Sequence, residues 1–568
     1  MIQYNFSYNN PHRHFIDIEI SVEVNNEKEL FFQLPAWRPG RYELANFSKN
    51  IQKWNAFNEH GEKLFSRKVN RNKWCVKTNN SKKVIVKYNY FSNILDAGST
   101  YLDEKQLYVN PINCCFYIID RVEEEHHLTL NIPKNYKIAC SLKKKSNNIL
   151  IANSFDELVE SPFICSNDIK HDKYEVQGTL FHLWFQGDCN PPFKKIKKNF
   201  LAFTEEQINC FGNFPEKEYH FLFQITPYKS YHGVEHTKST VILLGSERDV
   251  FENRYDDLLG ISSHELYHTW NIKSIKPVEM YKYDYTKENY SKLGYVTEGA
   301  TTYFGDLMLY RSGVFNWTQF INTQNENLKR HLENHGRYNL SVSDSSFDTW
   351  IDGYQLGIPN RKTSIYTEGA LCMFMLDVLI IINSNAKFSL NNVMKDLYVQ
   401  YALKNKGYTE KDFISLCVKY GGDDVLDIFK KHIHGFEDYI STFENILPKI
   451  GLEIIDKDNP SITASLFGFF LVKRNNKYIV SKVLLNSVSD KAGIAVEDEL
   501  VEINKSKNIN NLKSIISDST EVKLTFKRLF DTKEFNLKKS KYYILKEIKK
   551  INTNDPKINL LRNFWLNK

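Results

Sequence analysis

The 568-residue chain has no Cys-x-x-Cys pair, no apolar run long enough to span a bilayer, no internal repeat, no low-complexity linker and little net charge. Each absence removes a class of protein. The nine cysteines are odd in number and scattered from Cys75 to Cys417, with Cys114 and Cys115 adjacent. That usage fits reduced, mostly buried thiols better than a disulfide framework. The most apolar run, Ala370 to Ile382, is shorter than the about 20 residues a spanning helix needs, and it carries Asp377. It reads as a buried helix, with no membrane span expected. The start, MIQYNFSYNN, has neither a positive n-region nor an apolar h-region, so no signal peptide is visible and a cytoplasmic location is expected. Against 68 acidic side chains stand 75 basic ones, a net charge of +7. The Lys-rich stretches at 143–145, 194–198 and 538–550 come with no recognition motif. They read as solvated faces, and no nucleic-acid partner is expected.

What is present is the balance of a folded chain: 42% hydrophobic, 25% charged and 14% aromatic residues, enough for large cores and an aromatic-lined cleft. The length suggests three or four domains. Residues 1 to about 170 alternate strand-like and turn-like segments, such as Phe15 to Val24, Leu30 to Leu34, Lys83 to Tyr90 and His127 to Ile132. An all-β sandwich is expected there, with a job that could be purely architectural. From about 195, apolar residues recur at three- and four-residue spacing over 196–210, 254–273, 296–311, 316–334, 365–383 and 390–403. Glu218 to Leu244 is strand-like instead, and the pattern turns β-rich again after Asn459. The fold class expected is multidomain α+β, with a β-sandwich over 1–172, a mostly helical domain over 173–455, a β-rich domain over 456–537 and a Lys-rich C-terminal tail over 538–568.

The sharpest chemical signal is His264-Glu265-Leu266-Tyr267-His268. Four-residue spacing puts both imidazoles on one helical face, within reach of one metal ion. Glu265 lies beside that face, where it can take a proton from an attacking water. Leu258, Leu259, Ile261, Leu266 and Trp270 supply apolar positions for burying the helix, and no proline interrupts it before Pro277. A second helix-like segment, Tyr295-Val-Thr-Glu298-Gly-Ala-Thr-Thr-Tyr, places a carboxylate 30 positions after His268 (298 − 268). Catalytic zinc typically keeps three protein ligands and one open position, and Glu298 completes that set. Glu288, 20 positions after His268 (288 − 268), is the rival third ligand.

The stretch HELYHTWNIKSIKP, followed by YDY, ENY and TEGATTYFGDL, resembles the glycyl aminopeptidase family, gluzincins with a thermolysin-like catalytic domain and distant kinship to aminopeptidase N. Three further motifs follow the family's order: LPAWRPGRYELANFSKNI (34–51), His232-Gly233-Val234-Glu235-His236 against the family's GGLEH, and Ser364-Ile365-Tyr366-Thr367-Glu368-Gly369-Ala370-Leu371 against its YYTKGAL. The resemblance implies one zinc per chain on His264, His268 and Glu298, and Glu265 as general base. It implies Tyr366 as a second catalytic residue, donating to the developing oxyanion, with Glu235 and Gly233 at the substrate's amino end. It also implies release of a small first residue, Gly or Ala, from peptides with a free N-terminus. Three positions depart from the family pattern: His232 for Gly, Ile365 for Tyr and Glu368 for Lys. The first is expected to alter backbone approach to the substrate, and the third to change a charge near the cleft.

Residues from about 459 to 535 resemble the PDZ pattern in Ser487-Val488-Ser489, Ala492-Gly493-Ile494, Asp498-Glu499-Leu500 and Ile503-Asn504. Such a module would capture peptide C-termini, with Leu466 to Phe469 as the candidate carboxylate loop, or else merely pack on the catalytic domain. The readings to be weighed are therefore a zinc aminopeptidase, a zinc endopeptidase, which needs no amine anchor at Glu235, and an inactive peptide-binding scaffold.

Overall fold

Alternating apolar residues build the first part of the chain. In Phe15–Glu23, Ile16, Ile18, Ile20 and Val22 are buried while Asp17 and Glu23 face water, the period-two pattern of a half-buried strand. The computed structural model describes residues 1–355, 357–507, 509, 512–517 and 520–567; Lys568, assigned above to the tail, lies outside them. Among the described residues a seven-stranded sheet runs Lys143–Ser146, Ile149–Ala152, His126–Leu130, Ile2–Ser7, Phe15–Glu23, Lys83–Phe91, Ile51–Asn58. It shares one core with two four-stranded sheets.

The middle of the chain starts with a five-stranded sheet: β1 (Ile169–Val176), β2 (Thr179–Gln186), β3 (Glu218–Gln224), β4 (His232–Glu235) and β5 (Ser239–Leu243), in the order β1-β2-β3-β5-β4. The β1–β2 hairpin turns at Gln177 and Gly178, both at positive φ, as a tight two-residue loop requires. Strands β2, β3 and β5 run parallel, whereas β4 is an antiparallel edge. Helix α1 (Phe193–Phe211) follows β2, and the helical mass that positions the site comprises α2 (Tyr255–Tyr267), α3 (Gly299–Arg311), α4 (Trp317–Glu333) and α5 (Thr367–Asn383).

Glycines set how closely these helices approach. A Cβ on Gly305 would sit 3.2 Å from the His264 Cα, and Ser263 donates to the Gly305 carbonyl at 2.7 Å, so α2 and α3 touch backbone to backbone. Gly299 and Gly369 face each other in the same way, a Cβ on either falling within 2.7 Å of the other's Cα. That crossing brings the residues just before each glycine, Glu298 and the 366–368 turn, to one place. The apolar run expected as a buried helix is α5; its Asp377 accepts from the Tyr303 hydroxyl at 2.6 Å and the Leu390 N–H at 2.7 Å. No helix among the described residues is long and apolar enough to cross a membrane.

The Lys-rich segment after residue 538 is not a free tail. Strand β6 (Leu452–Lys457) pairs antiparallel with β7 (Leu545–Lys550), and α6 (Pro556–Leu566) then packs on the central core. Trp565 is fully buried there and donates to the Tyr303 hydroxyl at 2.8 Å. Between the lysines of β7, Leu545 and Ile548 are buried, which is why a run that reads as solvated also contributes to the core.

Between β6 and β7 lies a five-stranded antiparallel sheet with its own core, so this module is an insertion within a two-stranded ladder. Leu466 and Phe467 end a short helix, and the Gly468 N–H already bonds the Ala464 carbonyl. A helix C-terminus with engaged amides is a poor carboxylate trap. Replacing residues 459–543 with a short turn is therefore expected to keep the β6–β7 ladder, a cooperative thermal transition and hydrolysis of small aminoacyl substrates. Ending the chain at Asp456 removes β7 and Trp565 and is expected to unfold it. A folded, zinc-loaded excision variant without activity would show that the module helps build the site.

Candidate metal centre and active-site cleft

Helix α2 is buried by the apolar positions expected of it, and His264 and His268 project on one side. The helix ends at Tyr267, shorter than the expected 254–273, with His268 as its C-cap. The chain then turns through Ile272 at φ 94°, a left-handed conformation that β-branched residues rarely adopt. The turn presents the Asn271 carbonyl to His268 Nδ1 at 2.9 Å. Asn271 is itself clamped, its Nδ2 donating to Val296 O, Thr297 O and Thr301 Oγ1 at 2.9–3.0 Å. With its Nδ1–H donated, the neutral His268 ring carries its lone pair on Nε2, the arrangement metal-binding histidines use.

The Nε2 atoms of His264 and His268 lie 3.0 Å apart, and Glu298 Oε2 lies 3.8 and 3.3 Å from them. A tetrahedral ion bonded at 2.0–2.1 Å needs ligand atoms about 3.3 Å apart, so these edges could hold one ion with a position left open. Glu288 is not part of this group. The electrostatics also ask for positive charge. Burial and the neighbouring His268 hold the His264 pKa well below the usual imidazole value. Burial opposes charge on His268 too, but the carboxylates of Glu298, Glu235 and Glu265 overcome it and raise the pKa to about 10.

Glu265 is 5% exposed, and its Oε2 has no partner among the described residues. Burial pushes its carboxyl well above the usual range; Glu235 and Glu298 push the same way, against His268. Gly233 on β4 makes room for it, since a Cβ there would fall 2.3 Å from Glu265 Oε1. Glu235, at the other end of β4, is equally buried, with Oε1 unpartnered. Its ligand atom lies within 4.8 Å of those of Glu265 and His268. Tyr366, the residue before α5, has its ring 6.4 Å from that of His264. Burial and the Glu298 carboxylate hold its phenol protonated. The seven residues that the family resemblance assigns to the site thus line one cleft of 540 Å3, and Glu288 does not.

Two departures from the motif pattern act differently than expected. Glu368 does not face the cleft: it is fully buried and bonded to His331 Nδ1 at 2.6 Å. His232 takes ordinary strand backbone, and its Nδ1 accepts from the Ala97 N–H at 3.3 Å, so it imposes no left-handed conformation.

The cleft also holds residues that sequence reasoning passed over. Arg38, Gly40 and Arg41 reach it from the N-terminal region, and Tyr354 from a loop before α5. A region expected to be architectural thus walls the site. Gly40 stands at φ 78°, and a Cβ there would lie 2.5 Å from Glu235 Oε2. Trp37 anchors this loop, donating to the Asp284 carbonyl at 2.8 Å and packing edge-on against Trp350. The advance signal was the 34–51 motif itself, which holds Arg38, Gly40 and Arg41.

A second histidine group, His182, Glu218 and His220, has atoms spaced for a metal, but Trp184 donates to His220 Nδ1 at 3.0 Å. In neutral His220 the ring proton then sits on Nε2, the atom a metal would need.

Residues 3–167 match the profile of the Peptidase M61 N-terminal domain, and residues 257–372 match that of the M61 glycyl aminopeptidase. A search of curated proteins finds no match. Among solved structures, an aminopeptidase N family protein from Idiomarina loihiensis is 24% identical, with 100% of each chain covered and a TM-score of 0.92. An M1 zinc metallopeptidase from Deinococcus radiodurans is 11% identical over 77% of this chain and 94% of its own, with a TM-score of 0.46. The catalytic-domain match, with His264, His268 and Glu298 grouped inside it, places the chain among the zinc metallopeptidases. Within that class, both profile matches are to the M61 family, the catalytic one being that of the glycyl aminopeptidase.

Proposed function

We propose that the chain is an aminopeptidase that releases the first residue, small by family resemblance (Gly or Ala), from peptides with a free N-terminus. One observation carries this reading: the Glu235 carboxylate lies within 4.8 Å of the Glu265 and His268 ligand atoms, under the Gly40 loop. An α-amino nitrogen is only about 2.5 Å from the carbonyl carbon of its own residue, two bonds away. An ammonium held at Glu235 therefore leaves room for one residue before the scissile bond.

His264, His268 and Glu298 fit one zinc ion by spacing and by charge. When bound, zinc polarises the scissile carbonyl and lowers the pKa of the attacking water. The chain's own groups do the rest. Glu235 grips the ammonium, and the β4 edge receives the extended backbone. Glu265 takes the proton from water and returns it to the leaving amine. The protonated Tyr366 donates to the carbonyl oxygen as negative charge develops.

Glu235→Ala is expected to raise KM for alanyl and glycyl 4-nitroanilides more than it lowers kcat. In the parent, KM should climb as pH rises through about 8, where the substrate amine loses its proton. Tyr366→Phe should do the opposite, costing about a hundred- to a thousand-fold in kcat with KM nearly unchanged. A Glu235→Ala variant with parental KM at every pH would refute the amine anchor, and a parental kcat in Tyr366→Phe would remove Tyr366 from the mechanism.

A further inference from the structure

A second cavity, of 730 Å3, opens from the catalytic cleft and shares with it Tyr231, His264, Thr302, Asn327 and Arg330, but not Glu235. Glu235 ends β4, whereas Tyr231 immediately precedes it. The cavity therefore lies on the side of His264 away from the amine anchor, where the leaving peptide must run if the aminopeptidase reading holds.

Its throat is built for a polypeptide backbone. Asn327 is 6% exposed, lines both cavities, and its amide has no hydrogen-bond partner among the described residues. Thr302 Oγ1, on the facing helix α3, is buried and equally unpartnered. A side-chain amide offers a donor and an acceptor, the pair that a passing peptide group complements.

Beyond the throat the walls are acidic. Arg254 is used up by Asp257 at 2.6 Å and by the Ser230 and Leu244 carbonyls, and Arg330 pairs with Glu326 at 3.2 Å. Asp256 and Asp306 have no salt-bridge partner among the described residues. Gln319 of α4 donates to Asp256 at 3.0 Å, and burial pushes Asp306 up to about 6. Helix geometry measures how far they stand from the metal ligands. Asp256 is eight residues before His264 on α2, and Asp306 eight after Glu298 along α3, about 12 Å in each case. Because α2 and α3 run antiparallel, both carboxylates fall on the same side. An extended peptide advances about 3.4 Å per residue, so a long side chain at the second or third position after the scissile bond reaches them.

We propose that this cavity is a subsite for the leaving peptide: Asn327 and Thr302 hold its backbone, and Asp256 and Asp306 select lysine or arginine at its second or third residue. The substrate class is then peptides with a small N-terminal residue followed closely by basic ones. The inference rests on the aminopeptidase reading.

The test compares Ala-Ala-Lys-Lys-Ala-amide with Ala-Ala-Glu-Glu-Ala-amide on the zinc-loaded full chain, with products identified by mass. At low salt the lysine peptide should be favoured about tenfold in kcat/KM, attraction and repulsion each contributing modestly. The ratio should fall toward one in high salt and in the Asp256→Asn, Asp306→Asn double variant. Any loss common to both peptides cancels in the ratio. If the double variant does not fold, each single variant should still lose part of the preference. Asn327→Leu should lower pentapeptide turnover relative to alanyl 4-nitroanilide by about fivefold, the worth of one hydrogen bond. Release of the N-terminal alanine with a parental ratio near one, or a ratio untouched by the aspartate variants, overturns the subsite alone. Internal cleavage would sink the aminopeptidase reading and the subsite with it.

Discussion

Replacing Glu265 with glutamine is expected to leave the fold and zinc content intact and to cut turnover by several orders of magnitude. The side chain is isosteric, and it lies in a pocket whose walls, Gly233 above all, tolerate no larger group. Loss of a general base alone costs about a hundred- to ten-thousand-fold, and in the proposed mechanism the same carboxyl also returns the proton to the leaving amine. Circular dichroism and metal analysis should match the parent while kcat collapses. Because Glu265 touches no substrate charge in this account, KM should move little. Near-parental kcat in a zinc-loaded Glu265→Gln would remove it as the base.

The second large effect concerns the metal. The purified chain should carry about one zinc. His264→Ala and His268→Ala should come through dialysis without it, and Glu298→Ala should hold it severely weakened. Asn271 supplies a subtler arm. Its side chain ties the turn carrying the His268-orienting carbonyl to the segment carrying Glu298. Asn271→Ala should therefore cost about ten- to a hundred-fold in zinc affinity, as lost orienting contacts do elsewhere. A Glu298→Ala chain with full zinc beside a Glu288→Ala chain without it would reverse the third-ligand assignment.

Much of this architecture was legible in the sequence because it rests on local periodicity. The helical segments at 196–210, 316–334 and 365–383 became α1, α4 and α5 within a few residues, since three- and four-residue apolar spacing survives whatever packs against it. His264, Glu265 and His268 were visible for the same reason. What stayed hidden depends on long-range approach. Gly40 meets Glu235 across 195 positions (235 − 40), and nothing near Gly40 announces a carboxylate. The Asn271 clamp and the positive φ of Ile272 are products of the tertiary fold. Glu368 was expected near the cleft because its neighbour Tyr366 is there, but two residues, about half a helical turn, point it at His331 in the core. The C-terminal lysines concealed Leu545, Ile548 and Trp565, because buried residues three apart within a charge run follow no strand alternation.

The most direct measurement is a mass-spectrometric time course on one alanine-led peptide supplied with a free and with an acetylated N-terminus. The account expects stepwise loss of single N-terminal residues from the free peptide, abolished in Glu265→Gln, and no product from the acetylated one. Internal fragments from both peptides at similar rates would contradict it and identify an endopeptidase.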